Sequence, residues 1–110
     1  MKKRYLITAS AFDRKGNLIA SKQNNYLRTH PLMKHFATLS GEIYKESLHA
    51  EIATLIACKD KQVHTLVVMR HDARGNLKLA KPCKTCQVAI NAYNVKQVIY
   101  STEEGMKELF

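Results

Sequence analysis

One segment limits the choice of folds more than any other, an almost uninterrupted apolar run with the sequence Val63-His-Thr-Leu-Val-Val-Met69. A short run of this kind predicts a β-strand that is covered on both faces. Apolar residues recur at helical spacing on either side of it, at Leu48, Ile52, Leu55 and Ile56 before it and at Val88, Ile90 and Ala92 after it. A buried strand between two amphipathic helices indicates a layered α/β fold with a mixed sheet.

The remaining segments extend this alternation of strands and helices along the chain. Pro31 and Pro82 suit the first turn of a helix, and Ser40-Gly41 suits a helix end. Two copies of the pattern Asp-x-basic-Gly-Asn-Leu, at residues 13–18 and 72–77, predict the same turn used twice. We expect a single domain over residues 1–110, with strands at 3–12, 18–22, 63–69 and 95–100 and helices at 32–39, 48–59, 82–93 and 103–110.

The composition is that of an ordinary globular protein, with 45% hydrophobic and 25% charged residues in 110 positions. This excludes a multidomain enzyme, a coiled coil and a disordered acidic tail. No apolar stretch of about 18 residues occurs, and no apolar segment follows the basic start Met1-Lys-Lys-Arg4, so we expect a cytoplasmic protein without a membrane partner. The formal charge of +9 would attract phosphates on nucleotides or nucleic acid, although a solvated basic surface explains it equally well.

Two short motifs carry the chemistry, His49-Ala-Glu51 and Pro82-Cys-Lys-Thr-Cys86. Each lies at a predicted helix start, where free N–H groups and the helix dipole favour thiolates and developing anions. Cys83 and Cys86 are three residues apart on one helix face and can share a metal ion, with His49 as a third ligand. One His and two Cys predict a zinc site whose fourth position is open to water.

Two neighbouring residues are interpreted by their relation to this metal. Cys58 is about two and a half helical turns beyond His49, so it cannot readily reach the same ion and is expected to be a small buried side chain. Glu51 is two residues from His49 and is not needed as a ligand, which leaves its carboxyl free to move protons. The pair of motifs, His-x-Glu followed by Pro-Cys-x-x-Cys, is the signature of zinc-dependent deaminases.

At these residues the chain resembles the cytidine deaminase superfamily, and the order of elements agrees over most of its length. The resemblance implies a three-layer cytidine deaminase-like fold with a mixed sheet of four to five strands. The stretch from Asn24 to Pro31 also resembles short deaminase-like proteins of phages and prophages. The superfamily sheet usually has five strands, yet only a short helix is predicted after residue 100, so the fifth strand is either missing or supplied otherwise.

The resemblance also implies a role for individual residues. Zinc would be bound by His49, Cys83 and Cys86, and Glu51 would shuttle protons. The backbone around Ala50 and Pro82 would line the base pocket. An Asn at the end of the second strand would contact the sugar and base, a place held here by Asn24 or Asn25, with Asn24 preferred.

The implied activity is hydrolytic deamination of a cytosine nucleotide or nucleoside to its uracil form with release of ammonia. The basic surplus favours a phosphorylated substrate, and we select dCMP. The candidate phosphate contacts are Arg28, His30, Lys34 and Lys84, although a solvated side chain is the favoured explanation for each, and His30 is also explained as a loop residue that bonds to backbone.

Two alternative functions are compatible with the same residues. One is a deaminase that acts on a base in single-stranded DNA or RNA, for which Tyr26, Tyr44 and Tyr93 would supply aromatic contacts. The other is a non-catalytic, zinc-stabilised module that binds nucleic acid, in which Glu51 would have no role. The resemblance further implies assembly into homo-oligomers.

Overall fold

The computed structural model describes residues 6–24, 31–41 and 49–110, which form a mixed α/β fold with nine elements. The strands and helices, in chain order, are β1 (Leu6–Phe12), β2 (Leu18–Gln23), α1 (Pro31–Ser40), α2 (Ala50–Ala57), β3 (Thr65–His71), β4 (Leu77–Lys78), α3 (Lys84–Ala92), β5 (Gln97–Thr102) and β6 (Gly105–Glu108). The predicted fold class is therefore confirmed.

The strands form one mixed sheet in the order β2-β1-β3-β5-β6, and the two-residue strand β4 pairs with β3 beside this row. β3 and β5 are parallel, whereas the other neighbours in the sheet are antiparallel. The apolar run thus supplies the middle strand of the row. Its burial alternates, because Leu66 and Val68 are fully buried and residues 65, 67 and 69 are half-buried, so the predicted complete cover on both faces is not observed.

The core lies against one face of this sheet. Leu66 and Val68 of β3 are fully buried, and the residues opposite them on β1 are Ala11 and Ala9, which are also fully buried. Because these alanines are small, α2 approaches β1 closely enough for the Thr54 hydroxyl to donate a hydrogen bond of 2.9 Å to the carbonyl oxygen of Ala9. This contact fixes α2, and with it the start of that helix, relative to the centre of the sheet.

The two copies of the Asp-x-basic-Gly-Asn-Leu pattern form the same turn. Asp13 accepts hydrogen bonds of 2.9 Å from the backbone N–H groups two and four residues later, and Asp72 accepts the equivalent bonds at 2.9 and 3.0 Å. Gly16 and Gly75 both have left-handed backbones, with φ of 85° and 82°. The repeated sequence therefore encodes a repeated loop, as predicted.

The end of the chain corrects one prediction, because residues 103–110 do not form a helix. Thr102 pairs with Gly105 across a tight turn, and the chain returns as β6, antiparallel to β5. Gly105 has a φ of 123°, which a helix cannot contain. The backbone N–H of Leu109 donates a hydrogen bond of 2.8 Å to the Val98 carbonyl, so this segment supplies the strand that the sequence analysis found missing.

The lengths of the helices bear on the expectation that the protein has no membrane-spanning segment. Among the described residues, no helix has the length and apolar character needed to cross a membrane.

Candidate metal centre

The centre is built from the first residues of α2 and α3. His49 and Cys83 are the N-cap residues of these helices, with extended backbones at φ, ψ of −78°, 150° and −70°, 170°. Their carbonyl oxygens accept the first helical hydrogen bonds, each at 2.9 Å, from Ala53 and Gln87. Neither side chain caps its helix, so both are directed to other partners, as the sequence motifs predict.

Three potential ligand atoms converge at this point. The Nδ1 atom of His49 is 3.3 Å from Sγ of Cys86 and 3.6 Å from Sγ of Cys83, and the three atoms all lie within 4.8 Å of one another. Ligand atoms around a tetrahedral zinc ion, at about 2.0–2.3 Å from it, are roughly 3.3–3.8 Å apart. One nitrogen and two sulfurs at these separations therefore fit a zinc ion, both in geometry and in donor type.

The third cysteine has a different environment. Cys58 is the C-cap residue of α2 and is buried among core side chains, at the opposite end of the helix from His49. Among the described residues, the group that could hold a metal consists of His49, Cys83 and Cys86 alone. Burial raises the pKa of the Cys58 thiol, which fits an inert side chain in the core.

The pKa values of the two clustered cysteines are shifted in opposite directions. Hydrogen bonds from Cys86 and from the His49 ring together lower the pKa of Cys83 to about 3, although burial opposes them. The bond between the two cysteines, together with burial and the neighbouring Glu51, raises the pKa of Cys86 well above its ordinary value. These shifts favour a thiolate at Cys83, and a thiolate is the form of cysteine that binds a divalent cation.

Glu51 lies beside this group. Its side chain is only 5% exposed, and its carboxyl is within hydrogen-bonding reach of the Cys86 thiol. Burial raises the pKa of this carboxyl, although the His49 ring opposes the shift. Within the described part of the chain no Lys or Arg pairs with Glu51, and carboxylates are rarely buried without such a partner. A burial this costly for folding is typical of a functional group.

The residues predicted to contact substrate lie in different parts of the structure, and three of them lie at the starts of helices or at the end of β2. Ala50 is the fully buried first residue of α2, and Pro82 is buried immediately before Cys83. The Pro82 carbonyl accepts a hydrogen bond of 2.8 Å from the side chain of Gln87, which holds the chain at the entry to α3. Asn24 follows β2, half-buried, and its Oδ1 atom accepts a hydrogen bond of 3.1 Å from the backbone of Ile7.

Several other predicted contacts are exposed, packed elsewhere or outside the described residues. Lys34 and Lys84 are exposed on α1 and α3. Tyr93 is half-buried and its ring lies 6.3 Å from that of Phe36, so it packs between helices. The candidates that lie outside the described residues are Asn25, Arg28 and His30, together with Tyr26 and Tyr44.

Sequence reasoning missed one pair of side chains that supports the centre. Thr85, fully buried between the two cysteines, shares a hydrogen bond of 2.9 Å with the hydroxyl of Ser40 at the end of α1. Ser40 in turn donates to the carbonyl of Ala37 at 3.0 Å. In the sequence, the only indication of this contact was that Thr85 lies between Cys83 and Cys86. Its partner Ser40 is 45 positions away, so a local pattern does not reveal the pair.

Comparison with solved structures finds cytidine deaminases. A crystal structure of a Glu-to-Gln variant of cytidine deaminase from Mycobacterium tuberculosis is 19% identical, with a TM-score of 0.52 over 96% of this chain and 74% of that chain. A second structure of cytidine deaminase from the same organism is 18% identical, with a TM-score of 0.51 over 96% and 73%. Neither the protein-family models nor the curated protein sequences match this chain. The chain therefore has the cytidine deaminase fold, and this fold carries a His/Cys/Cys group placed to hold a metal.

Proposed function

We propose that this protein is a zinc-dependent hydrolase that deaminates a cytosine nucleotide, with dCMP as the preferred substrate. The observation that carries the proposal is the buried Glu51 carboxyl next to the His49, Cys83 and Cys86 group. A structural zinc site has no use for an additional buried carboxyl that is not a ligand. A hydrolytic site needs such a group, since protons must move between water and base.

The residues divide the work in a simple way. His49, Cys83 and Cys86 would hold the ion, and zinc at such a site supplies a water activated for attack near neutral pH. The Glu51 carboxylate takes a proton from the attacking water and delivers it to N3 of the cytosine ring. The water oxygen bonds to C4, and Glu51 then moves the second proton of that water to the amino group. The C4–N bond breaks and ammonia leaves, so that cytosine and water become uracil and ammonia.

The helix ends support the same reaction electrostatically. α2 and α3 both begin at the centre, and the partial positive charge of a helix N-terminus stabilises an oxygen that becomes negative at C4. Ala50 and Pro82 are buried at these two helix starts, and in this proposal the backbone around them borders the base. Because this negative charge develops only during the reaction, the helix ends stabilise the transition state more than the bound substrate, as catalysis requires.

The choice of a phosphorylated substrate rests on charge. The chain carries 18 Lys and Arg residues against nine Asp and Glu residues. Lys84 is exposed and directly follows Cys83, so a cation stands at the start of α3. Such a field raises the local concentration of a nucleotide monoester near the centre.

The test measures ammonia released by zinc-loaded protein from dCMP, dCTP, cytidine, AMP and a cytosine-containing single-stranded oligonucleotide. Fastest turnover of dCMP supports the proposal. Turnover restricted to the oligonucleotide would replace it with a polynucleotide deaminase. If fully zinc-loaded protein turns over none of these substrates, the protein is a zinc-stabilised module without this activity.

Glu51→Gln tests the proton-transfer role directly. The variant keeps the size of the side chain and loses its ability to exchange protons, so we expect turnover to fall by about 10²–10⁴-fold while zinc stays bound at one ion per chain. Glu104→Gln, which alters an exposed carboxyl at the turn between β5 and β6, serves as the matched control and should retain full activity. Full activity of Glu51→Gln would disprove the mechanism.

A further inference from the structure

A second concave site lies far from the metal centre. A cavity of about 510 Å³ is formed where β1 ends and where β3 and β5 begin. His49 and Cys83 are at the starts of α2 and α3, whereas Gln62 and Lys96, which line the cavity, follow the ends of those helices. A helix of eight residues is about 12 Å long, so the two sites are at opposite ends of the helical layer.

The walls of the cavity are held together by backbone hydrogen bonds. The N–H of His64 donates to the carbonyl of Phe12 at 2.9 Å, which joins the start of β3 to the end of β1. The carbonyl of His64 accepts bonds of 2.9 Å from the N–H groups of Lys96 and Gln97, which joins it to β5. The His64 ring is fixed by a contact of 2.8 Å between Nδ1 and the Thr65 hydroxyl. The backbone around the site is therefore preformed, as is usual for small-molecule sites.

The charged residues that line this cavity are mostly basic. Arg14, Lys15 and Lys96 face a single carboxylate, that of Asp13. Asp13 is already engaged, because it accepts hydrogen bonds of 2.9, 2.9 and 3.3 Å from the Lys15 backbone, the Asn17 backbone and the Asn17 side chain. These bonds hold it inside its own turn. Three cations with one satisfied anion leave a surplus that attracts a negatively charged ligand.

The second copy of the turn shows that the cavity does not follow from the turn alone. Residues 72–77 form the same loop, with Arg74 at the position that corresponds to Lys15. None of these residues lines the cavity. The difference is that only the first loop lies beside the starts of β3 and β5, where Val63 and Lys96 complete the wall.

We propose that this cavity binds a small organic phosphate about the size of a nucleoside monophosphate. Its volume lies within the usual range for small-molecule pockets, roughly 300–1,000 Å³, and exceeds what one inorganic ion needs. Three cations and one carboxylate leave two positive charges, which match the charge of about −2 on a phosphate monoester. The site is separate from the proposed deamination centre and does not depend on that activity.

The experiment is an amide-resolved NMR titration of the zinc-loaded protein with AMP and, separately, with inorganic phosphate. Both ligands should shift the amide signals of Asn17, Gln62 and Lys96, with tighter binding of AMP. Lys15→Glu and Lys96→Glu should each weaken AMP binding by about tenfold or more, because each places a negative charge in the cavity. Arg74→Glu changes the net charge equally at the corresponding turn position and should weaken binding by less than about twofold.

Other results would overturn the proposal. If Arg74→Glu weakens AMP binding as much as Lys15→Glu does, AMP is attracted by the net charge of the protein and not by this cavity. If AMP shifts only signals around His49 and Cys83, the ligand occupies the metal centre and the proposal fails. If a single-stranded oligonucleotide binds and neither AMP nor phosphate does, the surface serves a polymer. If no ligand binds and Lys96→Glu only lowers the unfolding temperature, the cations merely complement the helix C-termini.

Discussion

The three thiols of this chain differ in what surrounds them. Cys83 and Cys86 lie next to the His49 ring, whereas Cys58 lies in the core at the far end of α2. We therefore expect Cys83→Ala and Cys86→Ala to purify with almost no zinc, since each loses one of three protein ligands. Cys58→Ala should retain one zinc ion per chain. Metal analysis after gel filtration measures both, and loss of zinc from Cys58→Ala alone would contradict the assignment.

The two aspartates that cap the repeated turns make stability depend on pH in acid. Backbone N–H groups, first that of the Asn four residues on, lower the pKa of Asp13 and Asp72 below the ordinary value of 3.8. A group whose pKa is lower in the folded state than in the unfolded state stabilises the fold. This stabilisation is fully present when the pH is above the pKa of the unfolded state, and it is lost as the pH falls toward the pKa of the folded state. The double variant Asp13→Asn and Asp72→Asn should therefore lose less stability than wild type as the pH falls below about 4.

Urea unfolding at pH 5.5, 4.5 and 3.5 measures this effect. Asp60→Asn removes an exposed carboxylate outside both turns and should leave the acid dependence close to that of wild type. If the double variant loses stability as steeply as wild type over this interval, the hydrogen bonds at the two turns do not contribute to the pH dependence.

At the level of elements, helices were easier to predict than the last strand. α2 and α3 follow from apolar spacing within a single segment, and their starts follow from Pro82 and the two motifs. β6 depends on the free edge of β5, so its pairing partners are not visible in a local pattern. Gly105 was the available signal, because its left-handed backbone terminates any helix at that point.

The hydroxyl pair between α1 and α3 gives a test of how one element supports another. Thr85→Val removes the hydrogen bond to Ser40 beside both cysteine ligands, so we expect a loss of about 1 kcal/mol in the free energy of unfolding. Zinc should also dissociate more readily, since the first turn of α3 is less firmly held. Chemical unfolding and a competitive zinc titration measure the two effects.

The control for this pair is Thr38→Val on the exposed side of α1, where the hydroxyl bonds only within its own helix. A double-mutant cycle of Ser40→Ala and Thr85→Val isolates the contact itself. Strictly additive effects of the two substitutions would show that the hydroxyls do not stabilise each other.

For the whole molecule, the sequence predicted the group that could hold a metal ion and not the second cavity. His49, Glu51, Cys83 and Cys86 occur in two short motifs whose chemistry is recognisable without a structure. The cavity combines residues 13–17, 62–64 and 96, and nothing in these separate segments indicates that they meet. Each segment is basic or polar for reasons that a solvated surface also explains, so only the topology of the sheet distinguishes the two interpretations.

Removal of the metal should affect the stability of the entire fold. One ion would tie the start of α2 to the start of α3, 34 residues later, and both helices contribute to one core. A ligand that binds only the folded state stabilises it by about 4 kcal/mol at a thousandfold excess over its Kd. At roughly 4–8 °C per kcal/mol for a domain near this size, chelation should lower the melting temperature by about 15 °C or more. Cys83→Ala protein provides the control, because it should melt at the same low temperature with and without chelator. Metal analysis should confirm that one zinc ion per chain has been removed. If the wild type then melts at the same temperature as before, the ion does not hold these two helices together.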